Sequence, residues 1–500
     1  MKDGPTSVAA LKQAATAKYP KGLYYLFATE MWERFSFYGI SAVLMLYLTS
    51  RLGLTDNDAS LASGAYMAFT FMTPILGGFV ADKLLGLRYS VAAGAFLIFV
   101  GNLVLAWRES LAFVFAGLAC VALGTGYLKA TVSVMVGKLY PEGDTHRDSG
   151  YTLFYMGINL GALMAGVLMA WVARTYGWHN CFYLSSGGMF LGLIAFQLGA
   201  PYYNNEADGY KSGRLLKRTF VLPNGVWLAL GTVALGALMV YLFHNPGQTK
   251  IAITYLSIAI VVGIFGLALS CRDTGERNSI FAILIIILAA ICFQSVFKQM
   301  YTSLPLLVDR VVDKTLFGIP LEASFFALVP NSLTVILFAG LFTWLWAKLA
   351  DQGRNPSIPM KIVFALCFAT VSSLLLAWVS GSIAATGVKA SAWWIVLGIG
   401  ILTLGELNIL PMGLSAVSTL APKRFASFLM GAWFLCASLG GYFSGFLSSL
   451  ASIDKARIED VGYAAGVYSG LYMNCAIGLA VITVLMLLVT PLVKRLMAAR

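Results

Sequence analysis

Apolar stretches of about 17–25 residues or more, the length of an α-helix that crosses the hydrocarbon core of a bilayer, recur along this chain and are separated by short polar segments. Fourteen such stretches fall at 22–50, 60–81, 89–107, 111–137, 150–173, 180–203, 221–243, 251–270, 279–303, 323–347, 362–380, 391–418, 425–450 and 464–493. A transmembrane barrel would instead alternate apolar and polar residues in runs of about ten, whereas the run that opens at Ile280 stays largely apolar to Phe297. Residues 1–20 are polar and Ala-rich and lack the short apolar core and small-residue cleavage site of a signal peptide. The first span is therefore expected to direct insertion itself. An even number of spans puts both termini on one side.

Composition narrows the class further. The 500 residues are 59% hydrophobic and 11% charged, with a mean hydropathy of +0.80; soluble domains carry about 25% charge, and disorder needs low hydrophobicity. The net charge of +12 is set by short loops. With both termini cytoplasmic, 22 basic residues lie in inside segments and 9 outside, the bias that orients membrane spans. No basic stripe with interleaved aromatics is present, so nucleic acid is not an expected partner. The seven cysteines are odd in number, form no CxxC and sit mostly in apolar runs, as small hydrophobes do. No HExxH or Cys/His cluster offers a metal site. An intramembrane enzyme would need a nucleophile with a base or a metal, and no aspartate falls within a span, so no enzyme and no cofactor is expected.

Residues 1–20 form a cytoplasmic segment and 21–203 a bundle of six spans. Residues 204–278 hold a cytoplasmic linker and two inserted spans, and 279–500 hold six more spans with a short tail. An all-α, six-plus-six plan with two insertions suggests the major facilitator fold, two bundles around a central cavity. Gly77 to Arg88, with its Gly–Asp–Gly–Arg spacing, joins the second and third spans.

Once the loops are sorted, Glu30, Glu33, Arg34, Lys129, Lys298 and Glu406 remain inside spans. A charge at the bilayer centre costs roughly 2.5–3.5 kcal/mol or more, so such residues pair or line a water-filled path. Offsets of three and four put Glu30, Glu33, Arg34, Phe37 and Tyr38 on one helical face. Arg34 stands about 20 Å along its helix from Lys21, and Lys129 about 14 Å from Lys138, so the two can share a depth. Glu406 lies far from both ends of its span, with Pro411 nearby to loosen the helix. Lys298, about 28 Å from the start of its span, is expected close to the outer surface, snorkelling there or facing the cavity. Cations from the first bundle and a carboxylate from the second suit a small zwitterion. Substrate arriving at Arg34 would compete with Glu30 and Glu33 for it, which ties protonation to binding.

The run Glu30 to Gly39 resembles the ExxERFxYYG signature of the proton-dependent oligopeptide transporters, and Phe154 to Gly161 is similar to that family's FYxxINxG pattern. Lys129 and Glu406 fall where the family has a fourth-helix lysine and a tenth-helix glutamate, and Trp433 resembles a cavity tryptophan. The resemblance covers essentially the whole chain. It implies proton-driven import of di- and tripeptides by alternating access in a bacterial inner membrane. It assigns the peptide carboxylate to Arg34 and Lys129, the amine to Glu406 and a backbone hydrogen bond to Asn159. Tyr38 and Trp433 would shape side-chain pockets, and Glu30, Glu33 and Arg34 would couple protons. One chain supplies the whole cavity, so a monomer in lipid suffices. Phe37 replaces a signature tyrosine, Phe71 a cavity tyrosine, Val329 an asparagine, and Phe297-Lys298 a Tyr-Gln/Glu pair. Lys298, if it reaches the cavity, could therefore favour acidic peptides or bind Glu33. Uptake of nitrate or another small anion, which related branches perform, is the alternative; it would leave Glu406 without a partner.

Overall fold

The structure, a computed structural model, describes residues 19–141, 144, 146–203, 215, 217–219 and 222–498. Residues 1–18 of the expected N-terminal segment and most of the 204–218 linker lie outside the described residues. In lipid every backbone N–H and C=O must be satisfied within the chain, so apolar spans fold as helices. In order these are α1 Lys21–Leu46, α2 Asp56–Val80, α3 Leu87–Trp107, α4 Leu111–Lys138, α5 Arg147–Tyr176, α6 Asn180–Leu198 and α7 Asn224–His244. There follow α8 Pro246–Ser270, α9 Thr274–Phe297, α10 Ser303–Val311, α11 Ala323–Asp351, α12 Ile358–Thr386, α13 Trp393–Leu420, α14 Ala426–Ser449 and α15 Val461–Ala498. Among the described residues, strands are confined to two-residue pairs. They are the β1–β2 ribbon at Arg218–Thr219 and Leu222–Pro223, the β4–β5 hairpin at Thr315–Leu316 and Ile319–Pro320, and a parallel contact of β3 (Val312–Asp313) with β6 (Ala390–Ser391).

Among the described residues, 13 helices are long and apolar enough to cross a membrane. Helix α1, whose apolar run is broken by Glu30, Glu33 and Arg34, completes the expected fourteen. Two expectations are corrected. The ninth span does not stop at 303: a 3₁₀ turn at Lys298–Tyr301 passes the chain from α9 into α10, and one 38-residue span runs from Thr274 to Val311. Lys298 is thus well inside the span rather than near its end, and Arg310, assigned by sequence to an outer loop, is helical. The segment expected to join α2 and α3 is itself helical to Leu85, and Gly86, at φ 78°, makes the turn, a conformation that costs a glycine little.

The chain forms two compact units. Of the described residues, the first holds those up to Ile40, those within Met72–Ala165 and those within His179–Val240; the second holds Ser41–Phe71, Gly166–Trp178 and those from Tyr241 on. In the first, α3 and α4 lie backbone to backbone: a β-carbon on Gly94 would meet the Gly124 carbonyl at 2.6 Å, and one on Gly124 would meet the Gly94 carbonyl at the same distance. Small residues permit this approach, which supplies the van der Waals contact that drives helix association in lipid. Hydroxyl and amide groups tie further helices together. Asn102 Nδ2 donates to Ser36 Oγ (2.9 Å), and Thr73 Oγ1 to the Ala122 carbonyl (2.7 Å). In the second unit, Ser372 Oγ donates to the Gly398 carbonyl (2.7 Å), Ser469 Oγ to that of Ala377 (2.9 Å) and Ser438 Oγ to that of Ala68 (2.8 Å). Such interhelical bonds contribute roughly 0.6 kcal/mol each.

Candidate functional site

The first unit carries a buried charge cluster on α1 and α4. Arg34, 1% exposed, forks onto Glu33: its Nε donates to Glu33 Oε2, and its Nη2 donates to Oε1 at 2.6 Å. Thr125 Oγ1 donates to the same Oε1 at 3.1 Å. Glu30 lies one turn back, its Oε1 3.5 Å from Arg34 Nε and 3.8 Å from Lys129 Nζ. Lys129 and Arg34 thus reach one carboxylate oxygen, as their shared depth required. The guanidinium also lies over Phe37 (4.9 Å to the centroid) and near Tyr38 (5.8 Å). Helical spacing put Glu30 and Glu33 on one face with Arg34 as candidate partners. The structure gives that role to Glu33, because two long side chains from adjacent positions can bend together into a bidentate fork, which is stronger than a single ionic contact. Glu30 keeps weaker, longer contacts, and its buried Oε2 has no hydrogen-bond partner among the described residues.

The second unit carries the other candidates. Asn331 Nδ2, one residue beyond Pro330 on α11, donates to Glu406 Oε2 and to Thr403 Oγ1 on α13, both at 2.9 Å. Lys298, 6% exposed, puts its ammonium over Phe71 (4.9 Å), Tyr301 (5.3 Å) and Phe297 (5.6 Å). Aromatic faces attract a desolvated cation, so a buried lysine here is not a snorkelling one. Two of the departures noted in the sequence, Phe71 and Phe297, are therefore the surroundings of a third. Trp433 is buried against Gly413, where any β-carbon would overlap the indole. Asn159, in the first unit, is half-buried and donates back to the Tyr155 carbonyl on its own helix at 3.2 Å.

Residues 88–463 match the profile of the POT family (PTR2). The chain belongs to that family. Peptide transporter YePEPT of Yersinia enterocolitica subsp. palearctica is 31% identical over 503 residues, covering 96% of this chain and 95% of that protein. Dipeptide and tripeptide permease A of Pectobacterium carotovorum subsp. carotovorum is 29% identical over 483 residues, covering 96% of this chain and 92% of the permease. Among solved structures, a mutant of peptide transporter POT in complex with alafosfalin matches at a TM-score of 0.82 and 31% identity, over 97% of this chain and 99% of that one. A POT family transporter in complex with 5-aminolevulinic acid matches at 0.81 and 26% identity, over 95% and 97%. The major facilitator fold expected from the span count is the fold these transporters share.

Several residues of this POT chain escaped sequence reasoning. Asn331 and Thr125 carry no charge and sit in ordinary apolar runs, yet Thr125 holds the buried Glu33 carboxylate and Asn331 the half-buried Glu406 carboxylate. Asp56 and Arg310 were read as loop residues and no aspartate was expected within a span. Yet Asp56, 4% exposed, opens α2 and receives Arg310 in a two-pronged bond, both arms at 2.7 Å. Arg310 also donates to the Tyr468 hydroxyl (2.9 Å), and the Ile453 amide donates to Asp56 (3.1 Å). The only local signal was an aspartate at a helix start, a common capping residue.

Proposed function

We propose that this POT family member is a proton-coupled symporter that imports di- and tripeptides by alternating access across a bacterial inner membrane, with both termini cytoplasmic. The carrying observation is the group of buried Glu30, Glu33 and Arg34 with half-buried Lys129. With all four ionised it is neutral. One added proton leaves one positive charge uncompensated, and a peptide carboxylate neutralises that charge. Binding of the anion and of the proton therefore support each other, and a proton moving down about 100 mV supplies about 2.3 kcal/mol, enough to concentrate substrate nearly fiftyfold.

In this reading Arg34 and Lys129 take the carboxylate of the peptide, and Glu406, held by Asn331, takes its amine. Asn159 bonds the peptide backbone; Tyr38 and Trp433 shape side-chain pockets. The Lys298 ammonium within its aromatic surroundings favours peptides with an acidic side chain, and Lys298→Ala should remove that preference; acidic dipeptides taken up unchanged would refute this role. No cofactor is required beyond protons, and one chain in lipid suffices.

Proteoliposome uptake of labelled dialanine under an imposed pH gradient tests the whole reading. Accumulation should collapse with a protonophore, and unlabelled di- and tripeptides should compete where tetrapeptides do not. Competition by nitrate, with Glu406→Gln without effect, would instead establish small-anion transport.

A further inference from the structure

The inserted helix α7 borders α2 and α4 along an apolar groove of about 480 Å³, lined among others by Leu76, Phe79, Leu123, Trp227 and Leu235. All of these residues belong to the first unit. Leu76 and Phe79 are largely exposed, and in a chain of membrane-crossing helices such a face meets lipid rather than water. Asn224 and Leu235 both line the groove, so it runs about 16 Å along α7. That is about half of a hydrocarbon core roughly 30 Å thick, the depth of one leaflet. The groove exists partly because Gly231 has no side chain: a β-carbon there would find no atom within 4 Å. Tyr127 and Thr232, hydroxyl to hydroxyl at 2.6 Å, hold the two walls together.

One end of the groove carries two exposed lysines, with Asp82 beside the first of them. The Asn224 amide donates to the Lys217 carbonyl at 2.9 Å, which places exposed Lys217 at the start of α7. Leu84, another lining residue, follows exposed Lys83 at the end of the α2 segment. Because spans alternate in direction, the second ends and the seventh begins on the same side, the one the charge bias assigns to the cytoplasm. Basic groups at that depth attract anionic headgroups.

We propose that this groove is a binding site for one anionic glycerophospholipid of that leaflet, with an acyl chain lying along α7 and the phosphate between Lys83 and Lys217. The site does not depend on the transport reading. Native mass spectrometry tests it on the full chain, released from micelles that contain phosphatidylglycerol and phosphatidylcholine in equal amounts. The native chain should retain one phosphatidylglycerol in preference to phosphatidylcholine. Gly231→Phe, which fills the groove, should lose it. Lys217→Gln, at an exposed position that leaves packing intact, should lower the preference about fivefold. Equal retention of the two lipids by the native chain, retention unchanged in Gly231→Phe, or a preference unchanged in Lys217→Gln would each overturn the proposal.

Discussion

Two arginines of this chain are paired with carboxylates inside the protein, and they are built differently. Arg310 meets Asp56 in a two-pronged bond, and the Tyr468 hydroxyl and the Ile453 amide complete the group. Arg34 has two carboxylates within reach, only one of them closely held, and Lys129 shares the looser one at 3.8 Å with a side chain 27% exposed. In the first group both carboxylate oxygens of Asp56 are hydrogen-bonded. The second has a buried Glu30 oxygen without a hydrogen bond among the described residues, and a cation that reaches solvent. Satisfied groups fix a structure, whereas a partly satisfied network in a low-dielectric setting responds strongly to one added charge. In the function proposed above, Asp56–Arg310 serves structure, and Glu30, Glu33, Arg34 and Lys129 serve proton and substrate chemistry.

The contrast breaks most sharply at Asp56. Asp56→Ala leaves Arg310 buried without its counter-ion and should cost about 3–5 kcal/mol, read as the largest fall in melting temperature of any variant named here. A melting temperature near the native value would remove the structural assignment. Glu33→Gln takes the charge from one end of the fork while Glu30 stays beside Arg34. Its pH-gradient-driven dialanine accumulation should drop about a hundredfold with a smaller loss of stability than Asp56→Ala; the reverse order would place Glu33 with the structural group. Asn331→Leu withdraws one hydrogen bond from the Glu406 carboxylate. The KM for dialanine should rise about tenfold, and a change in kcat alone would mean that Asn331 does not act through Glu406. The smallest effect belongs to Thr125→Val, about threefold on uptake; no change at all would show that its bond to Glu33 does not contribute.

The spans were legible because apolar length is a property of each segment alone, and the charges within α1 and α4 were legible because nothing else explains them there. Helical spacing put Glu30 and Glu33 on the face of Arg34 without separating them, since such spacing describes where side chains start and not how far a long one bends. Lys298 was placed too near the surface because the 3₁₀ turn that carries α9 into α10 has no mark in the hydropathy pattern. Asp56 and Arg310 are 254 residues apart, and no local pattern reports a pair at that separation. Asn331 bonds a carboxylate 75 residues further along the chain, and an uncharged amide in an apolar run carries no mark of such a partner.

The claim on which the account rests is that Glu406 reads the peptide amine while Arg34 and Lys129 read the carboxylate. Competition for uptake by dialanine, N-acetyl-dialanine and dialanine amide, compared between the native chain and Glu406→Gln, measures this directly. Acetylation should weaken binding to the native chain by about tenfold or more and cost nothing further in Glu406→Gln, whereas amidation should weaken binding to both. An acetylation penalty of the same size in the two proteins would contradict the account.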